Sequence, residues 1–163
     1  MDGVGSRSGP QQPGGIVAKQ ACTVLYNRLP PLDAAHTEAL LRLTVGGCKV
    51  EWANTSAGAA PMTAGLAQWA EHRVVMIALR APVRQDVLDR TVAVSPMPEE
   101  LRQYLLDHRA AIRLLYVGDH SEPLEQLTAL YRVAGALLAQ GGTGLLNERA
   151  ALALPSALAL TFL

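Results

Sequence analysis

Three groups of residues have types and spacings that bear on chemistry. The segment "GDHSEP" sets Asp119, His120 and Glu122 in one polar turn. Two carboxylates and an imidazole are donors that a divalent metal accepts, and loops that follow strands are where α/β sites are built. The competing reading is a solvated loop that caps the helix after it. His108 closes a stripe of Leu101, Tyr104, Leu105 and His108 at the i, i+3, i+4, i+7 spacing of one helix face. An imidazole there is either a ligand or base, or a buried ring hydrogen-bonded at a helix end. Asn147, Glu148 and Arg149 form the third group, a polar cluster at a strand end. They either line a pocket or make a turn with a local ion pair.

The familiar reactive patterns are missing. There is no G-x-S-x-G and no H-E-x-x-H, and the four histidines His36, His72, His108 and His120 are scattered. The "QGGTG" run (residues 140–144) has glycines like a phosphate cradle, but the context is reversed. A cradle follows a strand and opens a helix, where free amides face the anion. Here a helix precedes and a strand follows, and no lysine lies within or after the run. Gly141 and Gly142 read as a helix C-cap. His108, Asp119, His120, Asn147 and Glu148 therefore stand as candidate ligand-binding residues, with no catalytic residue, metal or cofactor assigned.

The elements that must position these residues can be read from periodicity and breakers. "ACTVLYN" (Ala21 to Asn27) is a strand, and Asp33 caps a helix through "AAHTEALLRLT" that ends at Gly46 and Gly47. "CKVEWA" (Cys48 to Ala53) is a second strand, while "NTSAGAAPMTAG" reads as a loop with a helical turn reaching Trp69. "VVMIALR" (Val74 to Arg80) is apolar enough for a strand covered on both faces. A short helix is expected in "RQDVLDR", and "TVAVS" is ambiguous between strand and linker. Pro96 and Pro98 place the next helix start near Glu99. "AAIRLLYVG", ending at Gly118, is a strand. The longest helix runs from about Leu124 to Gln140, with Leu124, Leu127, Tyr131, Ala134 and Leu138 facing the sheet, and the strand "TGLLN" follows. This order predicts an α+β, ferredoxin-like layered sheet with helices mainly on one face. The alternative is an α/β flavodoxin-like parallel sheet.

Length and composition set the frame. The 163 residues suffice for one core, expected over residues 20–163, after a flexible Gly/Pro/Ser/Gln-rich tail at 1–19. Half the chain is hydrophobic and 17% is charged, with 14 basic and 14 acidic side chains and a formal net charge of +0. Without clustered positive charge, nucleic acid is excluded as a partner. No apolar run approaches the roughly 20 residues that span a bilayer. The expectation is a soluble, cytoplasmic protein. Arginine far outnumbers lysine, and Ala, Leu and Gly are abundant, which suggests a GC-rich bacterial source. Cys22 and Cys48 both fall in expected strands and read as free thiols, with a bridge between neighbouring strands as the alternative. The uncharged "ALALPSALALTFL" (Ala151 to Leu163) is expected to start a helix at Pro155, with Leu158 and Phe162 on its apolar face, and to bury that face.

In "HRAAIRLLYVGD", "LTALYRVAGALLAQGGTGLLNE" and "LALP" the chain resembles a bacterial family, domain of unknown function 4261. The resemblance covers roughly Ala21 to Pro155 and marks His108 and Asn147 as positions of interest; it implies no reaction. The expected function is a non-catalytic protein-binding or assembly module, with a protein partner or self-association. The alternative is a small enzyme or small-molecule sensor whose pocket gathers His108, Asp119 and Asn147. Only convergence of those side chains on one concave site supports the second reading.

Overall fold

The computed structural model describes residues 20–55 and 62–162, so the tail expected at 1–19 lies outside the described residues. The elements run β1 (Ala21–Tyr26), α1 (Ala34–Val45), β2 (Lys49–Thr55), β3 (Met62–Trp69), β4 (His72–Leu79), α2 (Gln85–Thr91), α3 (Glu99–Leu106), β5 (Ala110–Tyr116), α4 (Pro123–Leu138), β6 (Gly144–Asn147), β7 (Leu152–Pro155) and α5 (Ser156–Phe162). All seven strands join one sheet in the order β2-β3-β4-β5-β1-β6-β7. Every pairing is antiparallel. The chain is thus an α+β protein, and the flavodoxin-like alternative is overturned. Strands β5 and β6 are joined by α4 across β1, which lies between them and runs the opposite way.

Local chemistry explains the element ends. The Asp33 carboxylate accepts from the Ala35 and His36 amides at 2.9 and 3.3 Å, satisfying donors that the first turn of α1 leaves unpaired. Gly46, at φ 74°, ends that helix in a region where a side chain is strained. Gly141, at φ 93°, follows the end of α4 as the reversed context of its glycine run implied.

Alternation along the central strands divides the core in two. Cys22, Val24 and Tyr26 of β1 point to the face carrying α1, α4 and α5, where they meet Leu41, Leu130, Val133, Leu137 and Ala159. Leu25, Ala111, Leu146 and Ala153 point to the opposite face, where Val87, Leu88 and Leu105 of α2 and α3 cover them. Three helices thus share one face, and the two short ones cover part of the other.

Three expectations are corrected. The stretch read as a loop with a helical turn before Trp69 contains β3. Its Ala and Gly residues have little strand preference of their own, and pairing on both sides overrides this. The Trp52 ring needs such a residue opposite it, since a Cβ on Gly65 would come within 2.7 Å of Trp52 Cε3. The "LALP" segment is β7, and α5 begins one residue after Pro155. Of the stripe expected on α4, Ala134 and Leu138 are buried and Leu127 and Tyr131 half-buried, but Leu124 is 73% exposed, and Leu130, Val133 and Leu137 complete the buried face. That helix is apolar around most of its girth, so spacing alone does not select its inner face.

Candidate functional site

His108 lies between α3 and β5 and is 1% exposed. Its Nδ1 is 2.8 Å from the Leu105 carbonyl, and its Nε2 is 2.8 Å from the Val83 amide nitrogen. An amide can only donate and a carbonyl can only accept, so Nδ1 carries the proton and Nε2 is the acceptor. Burial pushes the imidazole pKa below its usual value, against the opposing pull of the Leu105 carbonyl. The ring has no nitrogen left for chemistry. It ties the segment entering α2 to the segment leaving α3. Of the side chains that share its stripe, Leu105 is buried and Leu101 half-buried, but Tyr104 is 45% exposed, because α3 turns that flank to solvent.

Asp119 and His120 sit beyond the far end of β5. Asp119 is exposed and 3.9 Å from Arg73. The His120 ring stacks on His72, with centroids 5.7 Å apart and planes 16° apart. His72 Nδ1 lies 3.1 Å from the Tyr116 hydroxyl, and the Trp69 and His72 ring centroids are 5.3 Å apart. Desolvation lowers the His72 pKa, the neighbouring His120 lowers it further, and Glu125 works against both. Sequence reasoning missed Trp69, His72 and Tyr116, which meet only through strand pairing. Glu122 does not close a metal site with its neighbours. Among the described residues no group of three or more His, Cys, Asp or Glu could hold a metal ion.

Asn147 is buried at the end of β6. Its Nδ2 donates to the Tyr131 hydroxyl at 2.9 Å, and its Oδ1 accepts from the Ala150 amide at 3.1 Å. It shapes the β6–β7 turn, where Ala151 holds a φ of 49°. Glu148 reaches Arg113 at 3.7 Å. The candidate residues therefore do not converge. His108 and the Asp119 loop flank opposite ends of the seven residues of β5, about 20 Å apart at strand rise. Cys22 and Cys48 are both free, one on β1 and the other just before β2 at the sheet edge.

Two features lie elsewhere. The first is an open cleft of about 980 Å³ at the end of the sheet where β1 finishes and β5 begins. Arg28, Arg80 and Arg109 line it with Trp52, Asn54 and Gln140, and no carboxylate is among its described lining residues. Each arginine stands just outside a strand, so only the strand order brings them to one end. The second is a row of apolar side chains on the face opposite α1 and α4. Leu66 pairs with Val75 and Val75 with Leu115, with Ile77 beside them. All four are half-buried and belong to neither core cluster.

Comparison of the chain with protein-family models, curated proteins and solved structures found no match in any of the three. The fold defines a class, an α+β protein with a seven-stranded antiparallel sheet. No helix among the described residues is long and apolar enough to cross a membrane.

Proposed function

We propose that this protein is a non-catalytic assembly module that docks a second copy of itself through the open face of β3, β4 and β5. The observation that carries the reading is the row Leu66, Val75, Ile77 and Leu115. A solvated face of an antiparallel sheet alternates to polar residues, and this one stays apolar where α2 and α3 do not reach. Polar groups bound the row, with Lys49 and Glu51 paired on β2 and Arg113 paired with Glu148. Each rim pair is neutral in itself, and the chain's net charge is +0, so two copies meet without mutual repulsion. Apolar sheet faces stack at about 10 Å, and a patch of this kind is complementary to its own image about a twofold axis.

The same reading takes the sheet as ferredoxin-like. The neighbours β4, β5, β1 and β6, with α1 after β1 and α4 after β5, support it, and the β2–β3 and β7 strands extend the two edges. It also takes the protein as cytoplasmic, a setting that suits two free thiols. The resemblance to domain of unknown function 4261 is part of this proposal but assigns no partner.

Light scattering after size exclusion tests it. The protein should elute as a dimer, and Leu66→Thr with Ile77→Thr should give a folded monomer, since threonine keeps strand preference while removing apolar surface. A wild-type protein that stays monomeric at every attainable concentration overturns the proposal. So does a double variant that folds and still dimerises, which places the contact elsewhere.

A further inference from the structure

The cleft at the end of the sheet was read by none of the sequence motifs. We infer that it is a binding site for a small organic anion carrying two or more oxyanion groups, carboxylate or phosphate. The first argument is the state of its arginines. Arg42, Arg73, Arg84, Arg90, Arg102 and Arg113 each form an ion pair with a carboxylate. Arg28, Arg80 and Arg109 form none among the described residues, and all three border one concave space. A guanidinium presents its donors in a planar fork that matches the two oxygens of a carboxylate or the edge of a phosphate. In a chain with no net charge, three such forks around a cleft without acids concentrate positive potential in one place.

The walls supply the second argument. Trp52 rests on the bare backbone of Gly65 and lines the cleft. The Thr63 hydroxyl donates to Asn54 Oδ1 at 2.8 Å, so the amide's NH2 end is the one left to donate. That amide is a donor, as the guanidinium groups are. The C-terminus of α4 would oppose an anion through its free carbonyls. Here the Leu137 carbonyl accepts from the Tyr26 hydroxyl at 3.0 Å, and the Leu138 carbonyl from the Gly141 and Gly142 amides at 3.1 Å each. The adverse end is closed, and the lining that remains favours negative charge with an indole for the organic part.

Calorimetric titration of the full chain with citrate, pyrophosphate, adenosine monophosphate and inorganic phosphate tests the site. At least one of the multiply charged probes should bind with one site per chain, more tightly than inorganic phosphate, and weaken as salt is raised. Citrate preferred over pyrophosphate identifies the carboxylate form, and the reverse order the phosphate form. Arg80→Ala and Arg109→Ala should each weaken binding about tenfold, the loss of one charge-assisted pair. Arg132→Ala, an arginine outside the cleft and also without an ion pair among the described residues, should leave it unchanged. No binding by any probe, or equal weakening by Arg132→Ala, overturns the site. Neither outcome bears on the dimer, whose face lies on other residues.

Discussion

At the scale of the residue, His108 is decisive because both ring nitrogens are spoken for. Protonation would turn Nε2 into a donor facing the Val83 amide, two donors in contact inside the core. His108→Ala removes the ring, leaves the Val83 amide without its acceptor and opens a cavity, while the Leu105 carbonyl keeps the backbone amide of residue 108. We expect a loss of about 2 to 4 kcal/mol in chemical denaturation. The pH sign follows from the lowered pKa. The group is neutral in the fold and charges more readily in the unfolded chain, whose pKa is near 6.5. Its contribution is complete above about 6.5 and disappears as pH falls through the folded value. Wild-type stability should decline on acidification below neutrality, and His108→Ala should flatten part of that decline. His72 has the same sign and accounts for another part. A variant with an unchanged acid limb would mean that His108 does not titrate differently in the two states.

At the scale of the element, the last helix offers a clean contrast. Ala159 of α5 is fully buried against the face that carries α4, whereas Leu158 beside it is 44% exposed. Ala159→Asp places a carboxylate in that core and should cost more than about 3 kcal/mol, while Leu158→Asp should change stability by less than about 0.5 kcal/mol. Paired melting curves of the two variants measure this. Equal effects would mean that α5 is not docked. The helix was expected to bury Leu158 and Phe162, and the side chain of Phe162 lies outside the described residues. Leu158 faces solvent because β7 takes up residues 152–155 and so sets where the helix begins and which way it turns. On the opposite face, Ser95 Oγ donates to the Thr91 carbonyl and accepts from the Ala153 amide at 2.7 Å, tying the α2 layer to β7. Ser95→Ala should cost about 1 to 3 kcal/mol in the same assay, since a buried amide loses its only acceptor.

At the scale of the whole molecule, the equality of 14 basic and 14 acidic side chains shapes association. Two copies repel least where each carries no net charge. Sedimentation or light scattering should therefore show a dimer whose strength changes little as salt is raised. The melting temperature should rise with protein concentration at pH 7, because dissociation accompanies unfolding. The paired threonine variant should abolish that dependence. A concentration-independent melting temperature in the wild type would speak against a dimer held by this face.

The sequence by itself determined the strong local features. Asp33 as a cap, Gly46 and Gly141 as helix ends, the apolar strands β1, β4 and β5, and the exclusion of a phosphate cradle all follow from interactions within a few residues. It also marked His108 and Asn147 as unusual polar residues, and both are buried with every ring or amide bond directed at the protein's own frame. Tertiary structure alone decided the rest. β3 is a strand because two neighbours pair with it, despite its small residues. The sheet is antiparallel because β1 inserts between β5 and β6, a choice made by contacts nearly the length of the chain apart. The arginines at 28, 80 and 109 look unrelated in sequence. They form one cleft because antiparallel order returns the end of β1, the end of β4 and the start of β5 to the same edge of the molecule.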